Sequence, residues 1–276
     1  MKNFLINLGL LFPVNQNKRT TKHIGILCAM PEEIGSTINN LEDVEIKTYG
    51  DLEIYSGNWK FPENYSKPFK VSLSIVWSGW GKVSSARAST RLISHMFNGL
   101  KIELLLFTGV AGGINLDLKQ WDIVIADELI QYDMDARPLF KKYEIPALNT
   151  DRIKSDNKIS DWVYKVLKTG IKNKSLEKFG NIYKGLIATA DKFVNEKEDA
   201  ENISKNIKDL LAVEMEGASV AQVAKQEKIL FQIIRVISDS ANESSHEDFN
   251  DFLIKYKYHS SKLISALINN IDSAPF

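Results

Sequence analysis

Three runs of Ile, Leu, Val and Phe constrain this chain more than any other feature: Ile24 to Met30, Leu104 to Phe107 and Ile229 to Ile237 are nearly continuous in apolar residues. A strand with one wet face alternates, whereas a strand covered on both faces does not, as in a sheet sandwiched between helices. The three runs therefore predict the centre of a buried sheet. Ile54 to Trp59 and Val71 to Trp77 alternate more and are separated by Pro62 and Pro68, which predicts antiparallel or peripheral strands. The sheet is expected to be mixed.

Helical periodicity fills the intervals. Gly81 to Phe97 is rich in Ser and Ala, with Val83, Ala86, Ile93 and Phe97 expected on one packed side. Toward the C-terminus, Phe249, Phe252, Leu253, Tyr256, Leu263, Ile264, Leu267 and Ile271 recur at three- and four-residue steps, predicting one amphipathic helix that ends before Pro275. Ser244 and Glu247 have the spacing of a capping box at its start. No Pro/Gly/Ser linker divides the chain and no repeat of about 20 to 50 residues is visible, so one α/β domain is expected.

The chain has 276 residues, with 35 Lys+Arg balancing 35 Asp+Glu. Nucleic-acid binding through phosphate neutralisation needs clustered positive charge, and no basic tract supplies it. With 44% apolar residues a sizeable core is available. The single cysteine, Cys28, excludes an intrachain disulfide, and the four histidines show no metal-ligand spacing, so no metal is expected. Cys28 sits inside an apolar run as a small core residue, and His23, His95, His246 and His259 are expected at the surface or as satisfied buried groups.

Residues 1–22 read as an N-terminal extension to a domain spanning 23–276. Lys2 precedes an apolar stretch from Phe4 to Val14 that is interrupted by Asn7 and succeeded by a polar run to Lys22. It is shorter than the roughly 20 residues a spanning helix needs, and it lacks a small-x-small cleavage site. An uncleaved extension and a cytoplasmic protein are expected, with export as the alternative if the segment acts as a signal. No other segment is long and apolar enough to span a membrane.

In open α/β sheets ligands bind beyond the carboxyl ends of the central strands. Each apolar run gives way to a polar or glycine-rich segment: Ala29-Met30-Pro31-Glu32-Glu33, Thr108-Gly109-Val110-Ala111-Gly112-Gly113, and Ser238-Asp239. These ends are expected to converge. The glycine-rich segment lacks dinucleotide and P-loop spacing. Its glycines suit either a loop lining a small ligand or a tight strand-to-helix turn. Ser78-Gly79-Trp80-Gly81-Lys82 carries the same two readings, with an ordinary turn preferred. Pro31 with acids behind it is ordinary helix-start chemistry. By contrast, Glu216 in Val213-Glu214-Met215-Glu216-Gly217 stands where an apolar stretch meets a helix, a place for a partly buried carboxylate. Asp239 comes directly after nine mostly apolar residues, either as a capping or turn Asp or as a functional acid. Three carboxylates around one cleft suit glycosyl chemistry, in which one acid protonates the leaving group and another activates water.

In their order along the chain, Ile24 to Glu33, Ser78 to Val83, Thr108 to Gly113, Gly185 to Val194, Ala212 to Gly217 and Arg235 to Asp239 resemble the 5'-methylthioadenosine/S-adenosylhomocysteine nucleosidases, of the purine nucleoside phosphorylase-like superfamily. The resemblance covers about residues 23 to 270. It implies a three-layer αβα sandwich with a central mixed, partly barrel-like sheet, a homodimer, a small nucleoside as substrate, and hydrolysis of the adenine–ribose bond without a cofactor. By resemblance Glu33 is the general base for water and Asp239 the acid at adenine N7, with Ser238 beside it. Glu216 binds ribose hydroxyls, Met215 packs on the sugar, Phe193 stacks on adenine and Val194 reads its edge through the backbone. Arg235 lies near the water and Glu216, and Val110, Ala111 and Gly112 line the site. An acid at N7 must hold a proton near neutrality, well above the ordinary Asp value of about 3.9.

The chain departs from the family pattern at three places. Val110 stands where relatives carry a serine. Trp80 takes an often aliphatic position in the pocket for the 5'-substituent, whose other wall is Phe249, so the preferred tail is open. Tyr132 to Pro138 also differs, in a region where Met134, Pro138, Leu139 and Phe140 are expected near a neighbouring subunit. Rival readings are a futalosine-type nucleosidase, a phosphorylase, which Glu33 disfavours because a carboxylate repels phosphate, and a non-catalytic nucleoside-binding protein.

Overall fold

The computed structural model describes residues 21–63, 65, 70–239 and 245–276. The chain begins with β1 (Thr21–Cys28), the one-turn α1 (Pro31–Ile34), β2 (Leu41–Tyr49), β3 (Leu52–Trp59) and β4 (Lys70–Trp77). Then come α2 (Lys82–Ser94), the short β5 (Met96–Phe97) and β6 (Leu100–Lys101), β7 (Leu104–Gly113), β8 (Ile123–Gln131) and β9 (Ile153–Lys154). The remainder is α3 (Asn157–Lys172), β10 (Ile182–Thr189), α4 (Lys197–Asn206), β11 (Leu210–Glu214), α5 (Gly217–Gln226), β12 (Leu230–Asp239), α6 (Ser245–Tyr256) and α7 (Ser260–Ile268).

The three apolar runs form adjacent central strands in a sheet ordered β11-β10-β8-β12-β7-β1-β4-β3-β2. Their lack of alternation has the expected cause, since each strand is covered on both faces. Ile24 and Ile26 of β1 and Leu104 and Leu106 of β7 pack with Trp162 and Val163 of α3 and with Leu263 and Leu267 of α7. The intervening residues Leu105 and Phe107 pack with Leu92 of α2 and with Ala218 and Ala221 of α5. The period of two thus divides one apolar run between two helical layers.

The sheet is mixed, and one end curls into a closed ring. β7 runs parallel to β1 and β12, while β12 pairs antiparallel with β8 through Ile234, Arg235 and Val236. Gly112 and Gly113 at the end of β7 pair antiparallel with Val213 and Ala212 of β11, which closes the ring β7-β12-β8-β10-β11.

Several expectations are corrected. Thr108 to Gly113 is the second half of β7 rather than a turn, and Ser238 and Asp239 complete β12 rather than succeed it. The antiparallel alternative holds for β3 and β4, which pair with each other, while β4 is also parallel to β1, so the sheet edge falls to β2. Val83 is 81% exposed, not packed. The buried face of α2 is Ser85, Ala88, Ser89, Leu92 and Ile93, because the Ser85 hydroxyl meets Ser219 of α5 at 2.6 Å and draws the small-residue side inward. The C-terminal periodicity divides into α6 and α7, interrupted at 257–259, with Ile271 in a terminal 3-10 turn. The extension up to residue 20 and the Ser244 capping box lie outside the described residues. Among the described residues, no helix is long and apolar enough to cross a membrane.

Candidate active site

Strand ends from both halves of the chain meet around one cleft. Ala29, Met30, Glu33, Trp80, Val110, Ala111, Gly112, Lys192, Phe193, Val194, Val213, Glu214, Met215, Glu216, Ser238, Asp239 and Phe249 line it. Twelve of the thirteen residues singled out from the sequence are therefore brought together, and the thirteenth, Arg235, lies directly behind the lining.

Glu33 is placed by the turn after β1. Pro31 starts α1, and the Glu33 side chain bends back so that Oε2 accepts the N–H groups of Ala29 (2.7 Å) and Met30 (3.0 Å). Oε1 accepts the N–H of Val110 at 3.0 Å. Val110 thus contributes its backbone here. Glu33 is 2% exposed. Burial raises its pKa, while Arg235 and the three N–H donors pull the other way, toward the anion.

Gly109 of the glycine-rich strand owes its place to this contact. A Cβ at Gly109 would collide with both Arg235 Nη1 and Glu33 Oε1, so glycine there lets the Glu33 carboxyl and the guanidinium meet across β7. The 78–82 turn is also more than a connector. Gly81, at φ 91°, donates its N–H to Glu216 Oε1 (2.8 Å), and the Lys82 N–H goes to Asp191 Oδ1 (2.7 Å).

Glu216 sits at the N-cap of α5, buried. Burial and the neighbouring Glu214 push its pKa up to about 8, against the opposing pull of Arg235 and the Gly81 N–H. Arg235 is ion-paired through Nη2 with Glu214, with Glu216 Oε2 at 3.6 Å. The face of Phe107 lies 3.9 Å from the guanidinium carbon. On the opposite wall the Ser238 hydroxyl donates to Asp239 Oδ2 at 2.6 Å, and Gln120 holds the Ser238 carbonyl at 2.8 Å. The remaining walls are apolar. Phe249 stands edge to face with both Phe193 (5.7 Å) and Trp80 (6.4 Å), and Trp80, 55% exposed, forms the rim.

A buried carboxyl held by three N–H groups, a second beside an arginine, a third acid across the cleft and an aromatic wall suit a neutral ligand that becomes cationic as it reacts. Three contributors were not singled out from the sequence. Lys192 is exposed at the cleft edge, and Thr189 and Glu214 hold Arg235. Glu214 had a signal, since it stands two residues from Glu216 at the end of an apolar stretch, whereas Thr189 had none. Among the described residues no group of three or more His, Cys, Asp or Glu is arranged to hold a metal ion.

The family model of the Phosphorylase superfamily matches residues 23–269. A 5'-methylthioadenosine/S-adenosylhomocysteine nucleosidase from Bacillus subtilis is 31% identical over 251 residues, covering 90% of this chain and 99% of the relative. The enzyme of that name from Haemophilus ducreyi is 32% identical over 251 residues, 90% and 98% of the two chains. Among solved structures, the S-adenosylhomocysteine nucleosidase from Streptococcus pyogenes in complex with 5-methylthiotubericidin superposes with TM-score 0.77 at 31% identity, covering 91% and 98%. The Neisseria meningitidis nucleosidase in complex with methylthio-immucillin-A gives TM-score 0.77 at 28% identity, covering 90% and 99%.

Proposed function

This chain belongs to the 5'-methylthioadenosine/S-adenosylhomocysteine nucleosidases of the phosphorylase superfamily, enzymes that hydrolyse an N-glycosidic bond, and from that membership we propose that it releases adenine from 5'-methylthioadenosine or S-adenosylhomocysteine. The observation that carries the reading is the meeting of Glu33, Glu216 and Asp239, from three distant segments, in one cleft with Phe193.

Each residue has a task that its surroundings suit. Water attacks the anomeric carbon while Glu33 takes its proton, and the carbon–nitrogen bond to adenine breaks with its electron pair going to the base. Asp239 gives a proton to N7, so that adenine leaves neutral; positioned acid–base catalysis of this kind contributes about 10² to 10⁴-fold. Glu33 then loses its proton and Asp239 regains one, which closes the cycle without a cofactor. Glu216 accepts from the ribose hydroxyls, and Met215 packs on the sugar. Phe193 stacks on adenine, and the Val194 backbone reads its edge. Val110, Ala111 and Gly112 bring main chain rather than side chains to the ligand. Arg235 sets the field between Glu33 and Glu216 as the sugar cation forms. At the tail end, Trp80 against Phe249 narrows the wall and favours the small methylthio group over the homocysteinyl one.

The test is incubation with methylthioadenosine, S-adenosylhomocysteine, 5'-deoxyadenosine and futalosine, with and without phosphate, identifying the released base by chromatography. Adenine from methylthioadenosine without phosphate is expected. Strict phosphate dependence would make the enzyme a phosphorylase, and cleavage of futalosine alone would make it the futalosine type. Tight adenine binding with no turnover would leave a binding protein.

A further inference from the structure

Beside the cleft, Thr189 and Glu214 make polar contacts to which the reaction just described assigns no task. Thr189, the last residue of β10, is fully buried and does not line the cleft. Its hydroxyl donates to Glu214 Oε1, while its oxygen accepts the N–H of Ala218, in the first turn of α5, at 2.8 Å. The other Glu214 oxygen accepts the N–H groups of Glu216 (3.1 Å) and Gly217 (2.7 Å) and the Nη2 hydrogen of Arg235. A threonine hydroxyl has one hydrogen, and with its oxygen facing the Ala218 amide that hydrogen is committed to Glu214. Four donors from three segments thus fix a single carboxylate.

What Glu214 fixes in turn is Arg235. The guanidinium is fully buried, and Nε and Nη1 have no hydrogen-bond partner among the described residues. Phe107 presses on its face but contributes no directional bond. Its orientation between Glu33 and Glu216 therefore depends on one anchored nitrogen, and charge-assisted pairs of this kind are strong and directional. We propose that Thr189 is a positioning residue of this enzyme, acting through Glu214 to hold Arg235 in its catalytic orientation. The inference rests on the nucleosidase reading of the site. It assigns to a buried threonine outside the cleft a part in turnover rather than only in capping α5.

The test compares Thr189→Val, which keeps the shape and removes the hydroxyl, with Thr189→Ser, which restores it. Small misplacements of catalytic groups cost up to about 10²-fold in rate. Thr189→Val is therefore expected to lower kcat for methylthioadenosine by about tenfold or more, leaving adenine affinity within about twofold, and Thr189→Ser to return kcat to within about threefold. Side-chain nitrogen-15 relaxation supplies a readout independent of turnover. The Arg235 guanidinium, assigned by comparison with Arg235→Lys, should be rigid in the wild type and in Thr189→Ser, and rotating faster in Thr189→Val. Wild-type kcat and an equally rigid Arg235 in Thr189→Val would overturn the proposal. So would a loss in both variants that tracks their melting temperatures, which marks a packing role alone. A wild-type protein that releases no adenine would overturn the nucleosidase reading instead, and the relaxation data would then decide by themselves whether Thr189 orders Arg235.

Discussion

No side chain fits at Gly109, because a Cβ there would strike Glu33 and Arg235 at once. Gly109→Ala is expected to lose about 1–3 kcal/mol of stability by overpacking and about 10²-fold in activity by displacing Glu33; chemical denaturation and an adenine-release assay check the two effects separately. Asp239 is expected to behave differently. Its carboxyl meets Ser238 and ends a strand, so Asp239→Asn preserves shape and should melt close to the wild type while losing at least about 10² to 10⁴-fold in turnover. Near-normal adenine release from that variant would remove Asp239 from the mechanism. At this scale Glu33, Glu216 and Asp239 were legible as carboxylates at apolar–polar junctions. Arg235 was legible only through the family pattern, being a cation inside an apolar strand with nothing nearby in sequence to pair with it. Its partners Glu214 and Thr189 come from β11 and β10, and periodicity within one strand says nothing about which strand ends touch.

Among the elements, β1, β4 and β3 are tied by a chain of side-chain hydrogen bonds that no periodicity reveals. His23 Nδ1 faces the Leu100 carbonyl (2.9 Å) and Nε2 the Ser74 hydroxyl (2.8 Å). Ser74 meets Ser56 at 2.7 Å, and Ser56 meets His95 at 3.0 Å. The histidines expected at the surface or satisfied in the interior are, in these two cases, the latter. Burial lowers the pKa of His23 to about 4 from an ordinary 6.5. Because the folded value lies below the unfolded one, the stability His23 contributes is present above about pH 6.5 and is lost as pH falls through about 4. The melting temperature should accordingly fall over that window. His23→Leu, which leaves Ser74 and Leu100 short of a partner at a cost of about 1–3 kcal/mol, should melt lower at pH 7.5 and vary less with acid. A wild-type melting temperature that stays level from pH 6.5 to 4 would contradict the assignment. The strands run on past Phe107 and Ile237, where the composition predicts turns, for one reason. Glycine and polar residues usually end a strand, but here they continue the ladder: Gly112 and Gly113 of β7 pair with β11, and Asp239 of β12 pairs with Gly112.

For the whole molecule, the surface carries apolar side chains in the segment expected near a neighbouring subunit: Leu139 is 84% and Phe140 40% exposed. Large exposed apolar residues grouped in one segment mark an association surface. The protein is expected to sediment as a homodimer, and Leu139→Asp to shift it toward monomer; a wild type that sediments as a monomer at micromolar concentration would rule this out. The sequence by itself determined the class of the fold, the identity of the three central strands and the acids at their ends, because burial on both faces and the abrupt change to polar residues are written locally. Tertiary structure alone decided the closing of the ring by β7 and β11, the division of the C-terminal periodicity into α6 and α7, and the exposure of Val83. It also decided the placing of Thr189 and Glu214 behind Arg235. Each of those depends on which distant segments share a space, and that is settled by packing the finished layers together, not by the residues of any one element.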